Sequence, residues 1–90
     1  MTKIDYVNRI SENLSLTKKD VNNVINELFE LIKEDLKNDE KVMITNFGTF
    51  ETAKTKPFNV YSPYDGKLIE NIVQTRVHFK SSSSLKNYLN

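Results

Sequence analysis

Between residues 21 and 36, Val21, Val24, Ile25, Leu28, Phe29, Ile32 and Leu36 recur at helical spacing. They form an apolar stripe wider than one short neighbouring helix can cover. A chain of 90 residues has a limited core, so the stripe predicts a second covering surface such as a partner subunit. Ahead of it, Ile4, Val7, Ile10 and Leu14 mark one face of a shorter first helix. Thr2 with Asp5, and Thr17 with Asp20, give each helix a capping signal at its start. Ser15-Leu16-Thr17 separates the two helices, and Asn38-Asp39 ends the second.

Beyond Asn38 the pattern changes to short β-forming runs. Lys41 to Thr45 and Thr49 to Thr55 read as strands. Asn46-Phe47-Gly48-Thr49-Phe50 between them predicts a tight turn at Gly48, with Phe47 and Phe50 as apolar plugs. Pro57 ends pairing on any central strand and moves the chain toward a ribbon. Tyr61-Ser62-Pro63-Tyr64-Asp65-Gly66 then sets an Asp-Gly hairpin signal, closed by Gly66, just after an isolated proline. The chain returns through Leu68-Ile69 and Ile72-Val73 to a third strand at Arg76-Val77-His78-Phe79. Ser81 to Ser84 offer N-caps for a short last helix holding Leu85, Tyr88 and Leu89. The expected class is α+β: two N-terminal helices, a three-stranded antiparallel sheet with a projecting β-ribbon arm over about 55–70, and a short C-terminal helix. Residues 1–90 are expected to form one domain.

Composition removes most chemistry. The chain has no cysteine, which excludes disulfides, thiolate zinc sites and cysteine nucleophiles. His78 is the only histidine, and its neighbour Phe79 places it on a strand at the edge of a core. Two glycines cannot make a phosphate-cradling loop. Glu27, Glu30, Glu34 and Asp35 lie along a helix opposite its apolar stripe and form a solvated face. The expectation is a chain with no catalytic residues, no metal site and no cofactor, and therefore no enzyme. No apolar run approaches the roughly 20 residues of a membrane helix, and the first residues lack the apolar core of a secretion signal. An intracellular, soluble protein is expected.

The charge is unevenly placed. Residues 1–51 carry seven Lys/Arg against ten Asp/Glu, a net of −3. Residues 52–90 carry six against two, a net of +4. One polyanion-facing surface fits this division. A ribbon tip ending in a rigid apolar proline is also the device that DNA-bending proteins push between base steps.

Phe47-Gly48-Thr49-Phe50, Pro63 with Gly66, Ile69, Phe79 and Leu85-Lys86, taken together in this order, resemble the bacterial HU/IHF family of histone-like DNA-bending proteins. The resemblance runs the length of the chain without an insertion. It implies an intertwined dimer with a helical base and a sheet saddle, whose two ribbon arms reach around the DNA minor groove. It implies double-stranded DNA and a second copy of the chain as partners, with a heterodimer as the variant, and a cytoplasmic, nucleoid-associated location. By resemblance Pro63 is the intercalating wedge. Lys3, Lys18, Lys80 and Lys86 are body lysines that contact phosphates. Lys54, Lys56, Lys67, Arg76 and Tyr61 complete the expected DNA-binding set, and Phe29, Phe47, Phe50 and Phe79 form the dimer core. The function implied is binding and bending of duplex DNA with low sequence specificity. The alternatives are a diverged member working mainly as a protein-interaction scaffold, or an IHF-type subunit with site-specific binding.

The arm departs from the family pattern. Thr55, Phe58 and Tyr61 stand where the family places arginines, and Lys54, Lys56 and Lys67 replace those cations only in part. Phe58, Tyr61 and Tyr64 admit three roles: cross-strand pairing that stiffens the arm, stacking or groove contact with bases, or contact with another protein.

Overall fold

Both N-terminal helices begin at their capping signals in the computed structural model, which describes residues 1–90. Helix α1 spans Lys3–Leu14 and α2 spans Lys18–Lys37. The Asp5 carboxylate accepts from the Thr2 backbone N–H at 2.9 Å and from the Thr2 hydroxyl at 3.0 Å. Those two bonds, with the charge of Arg9 behind them, hold Asp5 below the usual carboxylate range. At the second start, the Thr17 hydroxyl accepts from the Asp20 N–H at 3.1 Å, a cap whose loss costs about 1 kcal/mol. Ser15 breaks α1 by entering the left-handed region (φ 55), and the Ser11 hydroxyl donates to the Leu16 carbonyl at 2.5 Å. Asp39 (φ 59) turns the chain after α2, and its carboxylate accepts from the Thr52 hydroxyl at 3.3 Å.

The chain divides into two compact units, Met1–Glu34 and Asp35–Asn90. In the first, Val7 and Val21 are the buried apolar side chains, while Val24 is 69% exposed and Phe29 51%. Val24, Leu28 and Phe29 of the α2 stripe are thus left open in one chain, and Ile25, Ile32 and Leu36 are half-buried. No helix is long and apolar enough to cross a membrane.

The second unit is built on β-structure. Strands β1 (Val42–Ile44), β2 (Gly48–Lys54) and β5 (Thr75–Ser81) form an antiparallel sheet in the order β1-β2-β5. Strands β3 (Phe58–Tyr61) and β4 (Leu68–Ile72) form a separate two-stranded antiparallel ribbon. The ribbon leaves the sheet where the β2–β5 ladder ends: the Thr55 N–H donates to the Gln74 carbonyl at 2.8 Å, and Pro57, with no N–H to give, follows. Helix α3 (Ser83–Leu89) is capped by Ser82, whose hydroxyl accepts from the Leu85 N–H at 3.0 Å. The Ser82 N–H donates to the Phe47 carbonyl at 2.9 Å, and the Ser84 hydroxyl to Asn46 Oδ1 at 3.2 Å, so α3 is fastened to the β1–β2 turn.

Gly48 is not the turn residue that its sequence context predicts. Asn46 adopts the left-handed conformation (φ 62), and the Phe47 N–H closes the turn on the Ile44 carbonyl at 3.0 Å. Gly48 is instead the first residue of β2, paired with Ile44 on one side and Ser81 on the other. Its lack of a side chain answers a packing demand. A Cβ there would enter the Phe79 ring and lie 2.5 Å from the Lys80 carbonyl oxygen.

Gly48→Ala should therefore destabilise the fold by about 1–3 kcal/mol, the usual range for overpacking. A thermal melt of the variant checks this, and an unchanged Tm would show that the Phe79 ring moves aside freely.

Candidate nucleic-acid interface

Strand alternation sorts the sheet residues onto two faces. Phe50 lies opposite Phe79 in the β2–β5 ladder, and their ring centroids are 4.8 Å apart. Phe47 joins them, with its ring 5.6 Å from Phe79. Three of the four expected dimer-core phenylalanines thus meet on one face. Phe47 and Phe79 remain 46% and 45% exposed in the single chain. Phe29 lies on α2, in the first unit.

The intervening residues carry the charge. Thr49, Glu51 and Ala53 of β2 stand opposite Lys80, His78 and Arg76 of β5. Arg76 and Lys80 therefore share the face away from the phenylalanines, with His78 between them. His78 is exposed there and does not border the phenylalanine cluster, because one step along a strand moves a side chain to the other side.

Glu51 is the one carboxylate in those pairs. Its Oε1 lies 3.0 Å from Lys80 Nζ, and its Oε2 lies 3.6 Å from Lys41 Nζ. The Lys80 hydrogen bond, then the charges of Lys80 and Lys41, hold Glu51 below the usual carboxylate range. Both lysine side chains stay about 70% exposed, at 74% and 69%, so each ammonium can turn from Glu51 toward an anion in solvent. The pairing of Lys80 and the presence of Lys41 were not legible in composition. Finding them requires the ladder register.

The ribbon tip is an ordered loop. The Ser62 N–H donates to the Lys67 carbonyl at 2.8 Å, the Gly66 N–H to the Ser62 carbonyl at 3.0 Å, and the Lys67 N–H to Asp65 Oδ1 at 2.9 Å. Gly66 closes it in the left-handed region (φ 69), as expected. Asp65 keeps a negative φ, so the loop is longer than the two-residue turn that an Asp-Gly pair favours. Pro63 and Tyr64 sit at its apex, exposed. Cross-strand aromatic pairing does not occur along the ribbon: Phe58 faces Ile72 and Tyr61 faces Leu68.

The remaining expected contacts are dispersed. Lys54 ends β2, Lys56 lies between sheet and ribbon, and Lys67 closes the tip; all three are exposed. Lys86 is exposed on α3. Lys3 and Lys18 belong to the first unit, where Lys3 Nζ donates to Asn26 Oδ1.

Comparison with known proteins decides the family. The chain matches the family described as Bacterial DNA-binding protein over residues 1–90. It belongs to the HU/IHF family. It is 32% identical to DNA-binding protein HU-1 of Halalkalibacterium halodurans over 90 residues, all of both chains. It is 33% identical to the integration host factor subunit alpha of an Anaeromyxobacter species, covering 100% of this chain and 91% of that one. Among solved structures, the Anabaena HU–DNA cocrystal structure superposes with a TM-score of 0.81 at 25% identity, covering 99% of this chain and 97% of that chain. HU/IHF membership makes the chain a bacterial DNA-binding protein and not an enzyme. It also accounts for the α+β layout of three helices and antiparallel sheets, which HU structures share.

On this HU/IHF sheet Glu51 competes with any phosphate for Lys80 and Lys41. Glu51→Gln should tighten DNA binding at low salt. It should also steepen the dependence of log affinity on log salt by about 0.9 for each lysine released to a phosphate. The same variant has an acid signature. The folded pKa of Glu51 lies below its ordinary 4.5. The pairing therefore stabilises the sheet above that pH and is lost as pH falls through the folded value. Melting curves across the acid range should lose part of their pH dependence in Glu51→Gln, Asp5 keeping its own share. An unchanged salt slope would remove Lys80 and Lys41 from the DNA surface.

Proposed function

We propose that the chain is an architectural protein that binds and bends duplex DNA as a homodimer, with little sequence preference. One observation carries this reading: a two-stranded ribbon, rooted at the end of a sheet whose charged face bears Arg76 and Lys80, ends in an ordered loop that presents Pro63. A rigid ring without an N–H can enter a base step. Opening the step costs a few kcal/mol, offset by the contacts that a bent duplex makes with more protein surface.

Affinity comes mainly from lysines on phosphates: Lys3 and Lys18 in the first unit, and Lys54, Lys56, Lys67, Lys80 and Lys86 with Arg76 in the second. Tyr61, 73% exposed on β3, supplies a ring for groove or base contact. Residues 1–90 act as one DNA-binding domain with the arm at about 55–70. The homodimer is supported by what a single chain leaves open: the α2 stripe and the half-exposed phenylalanine cluster are apolar surfaces of the kind that a second copy covers. A nucleoid-associated place in the bacterial cytoplasm follows from this activity.

Dimerisation of this kind makes stability depend on concentration. Tm should rise with protein concentration, and sedimentation should give a dimer mass; a monomer with a constant Tm would overturn the homodimer. The wedge is tested on nicked against intact duplex. A nick is already partly unstacked, so the parent protein should prefer it by about tenfold or more. Pro63→Ala should lose most of that preference and keep its salt-sensitive background binding. If Pro63→Ala bends and discriminates like the parent, the wedge assignment fails. If the parent binds no DNA at low salt, the scaffold reading replaces this one.

A further inference from the structure

His78 stands in the middle of β5, two residues from Arg76 on one side and two from Lys80 on the other. Strand alternation puts all three on the charged face of the sheet. All three are exposed, and His78 enters none of the ion pairs on that face. Its neighbour across the ladder is Glu51, whose two carboxylate oxygens already face Lys80 and Lys41. The carboxylate is taken, and the imidazole is left to solvent.

Spacing gives the row its meaning. Two residues along a strand advance about 6.8 Å, so the row from Arg76 to Lys80 covers about 13 Å. Duplex DNA carries one negative charge for about every 1.7 Å of its axis. A row of that length faces several phosphates, more than the two permanent cations of β5 can neutralise. The place between them holds a side chain that is neutral at high pH. Below the titration range of an imidazole it is a cation with two N–H donors.

We infer that His78 is a conditional DNA contact: its protonated imidazole binds a phosphate between those held by Arg76 and Lys80, so that affinity for DNA rises as pH falls through the imidazole range. This rests on the DNA-binding reading above. The contact exists only in the protonated form, so it is present at mildly acid pH and lost as pH rises. The other charged groups on this face are Arg76, Lys80, Lys41 and Glu51. Lysine and arginine as classes titrate far above neutrality, and Glu51 is held below its ordinary range. None of the four therefore changes charge over the same interval. A phosphate beside the imidazole favours its charged form, so formation of the complex takes up protons.

The test measures binding of the full chain to an intact duplex between about pH 8 and about pH 5.5, each at several salt concentrations. At low salt the parent should bind about tenfold more tightly at the acid end for one such contact. The slope of log affinity against log salt should steepen by about 0.9 for each imidazole placed on a phosphate, and a homodimer has two. His78→Gln should hold the affinity and slope of the parent at pH 8 across the whole range, with an unchanged melting curve. His78→Arg should bind at pH 8 as the parent does at pH 5.5. Calorimetry near pH 6.5 in two buffers of different ionisation enthalpy should show proton uptake by the parent that His78→Gln loses. An α-amino group also titrates near neutrality, but that of Met1 lies in the first unit and is the same in both proteins. Binding by the parent that does not change with pH, or changes equally in His78→Gln, would overturn the inference and leave the DNA-binding reading standing. A parent that binds no DNA at either pH would overturn both.

Discussion

The seating of the Phe79 ring against the bare backbone of Gly48 decides which side of the sheet carries charge. Once Phe79 faces Phe50 across the β2–β5 ladder, the period of two leaves no choice for the residues between. Lys80, His78 and Arg76 must point away from the rings. A slip of one residue in β5 would turn the cations toward the apolar cluster and the rings toward water, at a cost far larger than any single ion pair. The apolar contact thus specifies an electrostatic surface in which it takes no part.

That surface is moderated from within. Glu51 lies at the centre of the charged face, bonded to Lys80 and near Lys41. Exposed pairs of this kind add little stability, and the pairing matters more for the lysines than for the fold. It holds two flexible ammonium groups close to the positions from which they can reach an anion. It also lowers the net positive charge that an approaching polyanion meets. Residues 55–70 have the same moderation built into their composition, with Asp65 and Glu70 against Lys56 and Lys67. In the arm the net positive charge of the second half is diluted, and Tyr61 and Tyr64 are its most exposed large hydrophobic side chains.

Much of the fold was legible in the sequence because its signals are local. Thr2 with Asp5 and Thr17 with Asp20 mark the helix starts, the serine run marks α3, and Pro57 marks the point where the ribbon leaves the sheet. Each depends on residues only a few positions apart. Gly48 was misread because a glycine between two short β-forming runs looks like a turn residue, whereas Asn46 supplies the left-handed conformation and Gly48 makes room for a ring 31 positions away in sequence. The Glu51 pairing was missed for the same reason, since Lys80 becomes its neighbour only through the β2–β5 register. The tip loop that holds Pro63 and Gly66 was legible because a proline and a left-handed glycine act on their own backbone. The exclusion of catalysis by composition agrees with the family to which the chain belongs.

The β3–β4 ladder shifts register between Phe58 and Val60, and this has a consequence for crowding. A ribbon of two strands has two free edges, and this one exposes Val60, Leu68 and Ile69 along them. Such an edge is a template on which a neighbouring molecule could add a strand. Here the register shifts at the bulge, Asn71 enters the left-handed region (φ 59), and the Asn71 N–H is taken by Asn59 Oδ1 at 3.2 Å instead of a ladder carbonyl. A straight foreign strand finds no unbroken row of donors and acceptors to follow. The broken register thus guards the free edges of the ribbon against the addition of a neighbouring strand.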